Sequence, residues 1–397
     1  MKPELLAPAG NWEMLKTSLK DGADSVYFGV QGLNMRSTTR NFTVQDLKDI
    51  VKEVESHNAK AYLAMNVIAY EKELESIKET LEKAKETGIH GVICWDHAVI
   101  RMAKKIGLNV HISTQASVSN SESANFYYDL GAKVCVLARE VTLEEVEEIR
   151  KNTPLKIEVF VHGAMCVSVS GRCFMSEHLY GKSANRGECL QPCRREYKVT
   201  DKETGKELEL ENNFVMSPRD LCTLEFLEQI YPVADIMKIE GRGRSPEYAK
   251  VVVEAYREAI DCIASDCYTQ DKKEELMDKV SKVYNRGFSK GFYMGRPITD
   301  FTDSYGSKAT KKKLYVGKVM NYYAKASAAE VKVEANPLSL GDEMIVIGPT
   351  TGTLQEEVKR MQVKKEDVKT AGKGMSIAVE VSEKVRKNDK VFVWVDK

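Results

Sequence analysis

Short apolar runs alternate with amphipathic stretches over the first 240 residues, and that alternation admits few folds. The runs lie at 4–7, 25–29, 59–65, 91–95, 109–113, 133–137, 157–161 and 235–240, and each reads as a strand. Between them, 44–56, 73–86, 98–106 and 143–151 carry apolar residues three and four apart, the period of a helix with one buried face. Eight strands, each followed by a helix or an insertion, predict an α/β fold of the (β/α)8 type. A doubly wound open sheet is the alternative, and no G-x-G-x-x-G turn favours it.

Barrel enzymes place their chemistry where strands end. Asn66 follows the third strand, Asp96 the fourth, Thr114 and Gln115 the fifth, Arg139 and Glu140 the sixth, His162 the seventh, and Glu240 with Arg242 the eighth. Each also has a plain structural reading. Asn66 and Gln115 can hydrogen-bond loop backbone, and Arg242 can form a salt bridge with Glu240 or Asp220. His162 is the strongest single candidate, because imidazole serves as ligand or proton donor near neutrality. A satisfied loop histidine is its structural counterpart.

After the seventh strand the chain runs HGAMCVSVSGRCFMSEHLYGKSANRGECLQPCRR, a glycine-punctuated loop holding Cys166, Cys173, Cys189 and Cys193. Four of the nine cysteines fall here, with six, fifteen and three residues between them. Such crowding implies disulfides or a shared metal. The N-terminus lacks the basic and apolar regions of a signal peptide, and no apolar run approaches membrane-spanning length. The expectation is therefore a cytoplasmic protein without membrane association, in which metal binding outranks disulfides. Structural zinc prefers close cysteine pairs, and only Cys189 and Cys193 approach one. Iron–sulfur clusters tolerate irregular spacing, so zinc and a cluster both remain open with the cluster ahead. Cys222, in SPRDLC, is kept as a substitute ligand; Cys94, Cys135, Cys262 and Cys267 read as inert.

HGAMC, SGRCFMS, SANRGECLQPCR and KIEGRGRSPEY, with ELLAPAGN at the start, together resemble the U32 family, catalogued as collagenase-like peptidases. The resemblance spans the chain. It implies a [4Fe–4S] cluster on Cys166, Cys173, Cys189 and Cys193, and an oxygen-independent hydroxylase. Members of the family resembled act on a tRNA wobble uridine, an rRNA cytidine or a ubiquinone precursor, the last in a heteromeric pair of family members. It further implies prephenate as oxygen source for the RNA-modifying branch, an anion that Arg242 or Arg139 could hold. The retained Cys193 resembles that branch more than the quinone branch. The sequence-level expectation is thus tRNA wobble-uridine 5-hydroxylation, with a U32-type peptidase and a ubiquinone-pathway hydroxylase as alternatives. A peptidase would need a nucleophile beside a general base, and only Cys166 with His162 suggests one.

In KIEGRGR, Gly241 and Gly243 permit a tight turn, and Arg242 and Arg244 offer guanidinium groups that match a carboxylate or phosphate. Further on, Phe288, Phe292 and Tyr293 suggest either a base-stacking platform or plain barrel packing. Residues 298–313 read as a linker between a barrel domain at 1–297, with its cysteine-rich insertion at 162–215, and a C-terminal domain at 314–397. That last part alternates short strands with NPLSLGD, PTTG and RKNDK turns, and reads as a small all-β barrel. Lys plus Arg equals Asp plus Glu at 59 each, so any tRNA or rRNA surface must be a local patch.

Overall fold

The computed structural model describes residues 2–36, 41–169, 171–207, 214, 216–297 and 300–397. Parts of the expected insertion (170, 208–213, 215) and the first two residues of the expected linker lie outside these. Seven parallel strands follow one another in chain order: β1 (Glu4–Pro8), β2 (Ser25–Phe28), β3 (Lys60–Ala64), β4 (Gly91–Cys94), β5 (Val110–Ile112), β6 (Val134–Val136) and β7 (Lys156–Gly163). The short β8 (Asp220–Cys222) runs antiparallel to the end of β7, pairing Cys222 with His162. Next, β9 (Ile236–Ile239) closes the ring, pairing with β7 on one side and β1 on the other. The closed eight-stranded parallel barrel expected from the alternation is therefore present.

Helices cover the outside, and local chemistry starts them. The Asn11 side chain accepts from Met14 N at 2.8 Å to cap the helix Trp12–Lys20. Asp96 caps the helix His97–Ile106 by accepting from Ala98 N at 2.9 Å, and Gly107 ends it in a left-handed conformation. The outward residues of the strands, Leu5, Val26, Leu63 and Val92 among them, join the helices in one large core. The inward residues Leu6, Tyr27, Tyr62, Ile93, Val134 and Ile236 pack as a separate interior cluster.

The C-terminal part is an eight-stranded antiparallel sheet around a core that includes Val316, Val331, Val346 and Val379. No pairing joins its two end strands among the described residues, so the expected small barrel is realised as an open sheet wrapped about its core. Its first strand, Lys311–Tyr323, begins inside the expected linker. Two of the lysines there are paired: Lys311 with Glu343 at 2.8 Å and Lys313 with Glu247 of the barrel at 2.9 Å. The sheet is docked rather than tethered, for Ile345, Ile347 and Trp394 are buried in the barrel's core, and Thr17 meets Thr353 at 2.9 Å.

Candidate active site at the barrel mouth

β7 ends on Gly163, whose φ is +110° and whose missing Cβ would stand 2.5 Å from Glu240 O. Only glycine lets the strand turn so close to the end of β9. From there the cysteine insertion folds back over the strand ends. Gly187, at φ +80°, seats it, because the backbone of Asn34 and Met35 fills the space a side chain would need.

Beneath the insertion lies a cavity of about 160 Å³. Cys166, Cys173, Cys189 and Cys193 all line it, and so do Asn66, Gln115, Glu240 and Arg242 from the ends of β3, β5 and β9. Asn66 and Gln115 touch each other, Nδ2 to Oε1 at 3.4 Å, and Asn66 Oδ1 also accepts from Met35 N at 3.3 Å. Both thus support loop structure while facing the cavity. Asp96 is spent on its helix cap.

Burial by itself would raise the Glu240 carboxyl. Arg36, whose Nη2 stands 2.7 Å away, and the nearby Arg244 and Arg139 overturn that and hold it at about 2. Arg242 instead donates to Asn34 Oδ1 at 3.1 Å, and burial pulls its guanidinium down to about 10. Arg139 donates to Ala164 O at 2.7 Å and lies 3.8 Å over the Phe160 ring, with its Nε buried and unpartnered. Lys238, on the cavity floor, donates to the buried Glu158 at 2.7 Å and sits 4.4 Å from the Tyr27 ring. Burial lowers the ammonium, and Glu158 opposes that shift. Among the described residues, Arg36, Arg139, Arg194, Lys238 and Arg242 thus face the cavity against one lining carboxylate, that of Glu240, an arrangement suited to an anion.

The four thiols line the same cavity. Burial raises Cys189 and Cys193, and neighbouring thiols add to it, Cys166 and Cys173 beside Cys189 and Cys166 with Cys189 beside Cys193. All nine cysteines are free. Among the described residues no three His, Cys, Asp or Glu side chains converge on one point as metal ligands. What fits a cationic iron–sulfur core is the chemistry of the donor set: four cysteines lining one cavity, whose thiolate forms would repel one another and be relieved by a positive core.

Two expectations are not met by placement. His162 does not line the cavity. Its Nδ1 lies 3.3 Å from Tyr256 OH, its ring packs among Tyr248, Tyr256 and Phe288, and burial with Arg244 lowers its pKa to about 3. The cause is a register shift in the β7–β9 pairing between Phe160 and His162. Strict alternation would aim Glu158, Phe160 and His162 inward; the irregularity turns His162 outward after the first two. Cys222 is likewise buried on the outer side, 3.7 Å from Tyr256 OH and 3.6 Å from Met277 Sδ, with its thiol pushed up to about 12 by burial. It does not reach the four thiols' cavity. Arg244 stacks 3.7 Å over Tyr284. Tyr293 donates to Phe160 O at 2.7 Å and, with Phe292, packs against Met165 and Leu221, so these aromatics belong to barrel packing.

Lys238, Arg36 and Tyr27 were not singled out from sequence. A lysine inside the apolar run of β9 was the available signal for the first. Arg36 and Tyr27 carried none, being joined to Glu240 and Lys238 only by barrel closure.

A closed (β/α)8 barrel with four cysteines and a surplus of cationic side chains at its C-terminal mouth defines the class of protein. The family model for peptidase family U32 matches residues 10–302. The chain is 40% identical to a collagenase of Porphyromonas gingivalis over 98% of this chain and 97% of that protein. It is also 40% identical to an uncharacterised protease of Methanocaldococcus jannaschii, over 98% of each. It is 34% identical to tRNA hydroxylation protein P1 of Bacillus subtilis, over 88% of this chain and 84% of that protein. The chain belongs to peptidase family U32.

Proposed function

We propose that this protein is an iron–sulfur-dependent RNA hydroxylase whose substrate is the wobble uridine of tRNA. The observation that carries the reading is the cavity itself, where four cysteines meet five cationic side chains, Lys238 and Arg242 buried among them, beneath the insertion. The relatedness to a tRNA hydroxylation protein supports the substrate class. Cys166, Cys173, Cys189 and Cys193 would hold a [4Fe–4S] cluster. When bound, it supplies the electron-transfer and Lewis-acid chemistry that side chains lack.

The chain's own residues bind and orient. Arg139, through its unpartnered Nε, and Arg242 would receive the carboxylates of a small anionic oxygen donor, for which prephenate is the candidate. Lys238 adds a buried positive charge beneath them. Glu240, locked to Arg36, stays ionised and keeps the mouth from being uniformly cationic. Asn66 and Gln115 present amide groups able to read the edge of a base.

Peptidase chemistry, which the names of two relatives carry, needs a nucleophile beside a general base. A Cys166–His162 dyad is the candidate for a nucleophile with its base, and His162 points away from the cavity into a cage of aromatic rings. No histidine lines the cavity among the described residues.

Anaerobic purification with iron and sulfide analysis, on wild type and Cys173→Ala, tests the reading. About four irons and four sulfides per chain, lost in the variant, are expected. Mass spectrometry of tRNA nucleosides from a deletion strain should then lack the 5-hydroxylated wobble uridine. Zinc or no metal in wild type, together with gelatin turnover, would return the peptidase reading to the front.

A further inference from the structure

The cysteine insertion builds more than a lid. Around the cavity it leaves apolar groups in water that a monomer has no reason to expose: Phe174 is 72% exposed, Leu190 49% and Leu179 47%. Guanidinium groups lie against aromatic rings in the same rim. Arg172 is 4.6 Å from the Trp95 ring and Arg195 5.1 Å from Tyr180. The charge is local rather than general: over 162–215 eight Lys or Arg balance eight Asp or Glu, and Arg186 and Lys198 are paired with Glu73 and Glu207, while Arg172 and Arg195 stand exposed beside those rings.

We propose that this rim is a stacking platform for the unpaired nucleotides of an RNA loop, seating the strand while one base is turned into the cavity. The inference rests on the RNA reading above and deepens it by naming the surface and the conformation of RNA it takes. The exposed guanidinium groups of Arg172 and Arg195, each lying against a ring, favour an anionic strand over a basic or neutral protein surface. Exposed rings and ring-stacked guanidinium planes select bases that are free to stack, which a duplex buries in its own helix. A base must leave its stack to reach a walled cavity, and the platform holds its neighbours while it does so.

The test uses the full-length protein, purified anaerobically, and two labelled RNAs: an anticodon stem-loop with an unmodified wobble uridine, and a blunt duplex of matched length. Binding is read by fluorescence anisotropy at several salt concentrations. Wild type should prefer the stem-loop. Phe174→Ala should weaken stem-loop binding about tenfold and leave the duplex signal alone. Arg195→Glu should weaken both and flatten the salt dependence by about one counterion. Circular dichroism and metal content should match wild type in each variant, because both side chains lie on the surface.

If wild type binds the stem-loop and neither variant changes it, the rim is not the platform, while the RNA reading stands. If wild type binds no RNA, both fall. If Phe174→Ala instead abolishes binding of a gelatin peptide, the patch serves a protein substrate and the proposal is overturned.

Discussion

Glu240 is kept ionised by its neighbours rather than by water, which makes its contribution dependent on pH. Its folded pKa of about 2 lies below the ordinary carboxylate value, so the stability it adds is present above the unfolded pKa and is lost as pH falls toward 2. Glu240→Gln should cost about 3 kcal/mol at pH 7, leaving Arg36 without its carboxylate. In urea titrations the gap from wild type should close between about pH 4 and pH 2. A constant gap would show that Glu240 is not held down by its cations. His162 titrates with the same sign. Its neutral form is favoured in the fold, so stability falls as pH drops below its unfolded value near 6.5, by about 1.4 kcal/mol per unit until about pH 3. His162→Phe should remove that slope and leave any pH–activity profile between pH 6 and 8 in place. An equal slope in both proteins would mean the imidazole is not buried neutral.

At the scale of elements, β7 and β9 carry the site, and a buried ion pair spans them. Glu158 and Lys238 are both buried, and His111 Nδ1 stands 3.6 Å from the second Glu158 oxygen. Lys238→Met should cost about 3–5 kcal/mol by stranding the carboxylate, and the double variant with Glu158→Gln should recover part of it, as denaturation midpoints would show. Gly163→Ala should destabilise by about 2 kcal/mol or more, since φ +110° and the nearby Glu240 carbonyl leave no room for a methyl group. It should also disturb substrate or metal binding at the mouth, because the insertion starts there. The eight strands were legible from their apolar runs, and each lies within a residue or two of its expected place. The helix expected over 44–56 opens instead with a 3₁₀ turn at Val44–Asp46, ahead of Leu47–Glu55, closed by a reciprocal Thr43–Asp46 capping box. Local periodicity does not mark that distinction.

For the whole molecule, the C-terminal sheet and the barrel share a core, so they should unfold together. Trp394 is buried against barrel residues, and Trp394→Ala should cost about 3–5 kcal/mol. Calorimetry should show one transition in wild type and two in the variant; one unchanged transition would place the coupling elsewhere. Among the described residues no helix is long and apolar enough to cross a membrane. By itself the sequence determined the order of strands, the two-part organisation and the crowding of four cysteines after β7, because short apolar runs, turn chemistry and residue spacing are local properties. Only the tertiary structure decided which groups share the cavity. Barrel closure brings Glu240 and Arg242, in the turn after β9, to Arg36 and Asn34, some two hundred residues away in the chain. One irregular pairing step in β7 then sets on which side of the wall His162 falls, and strand alternation cannot announce a slip of a single residue.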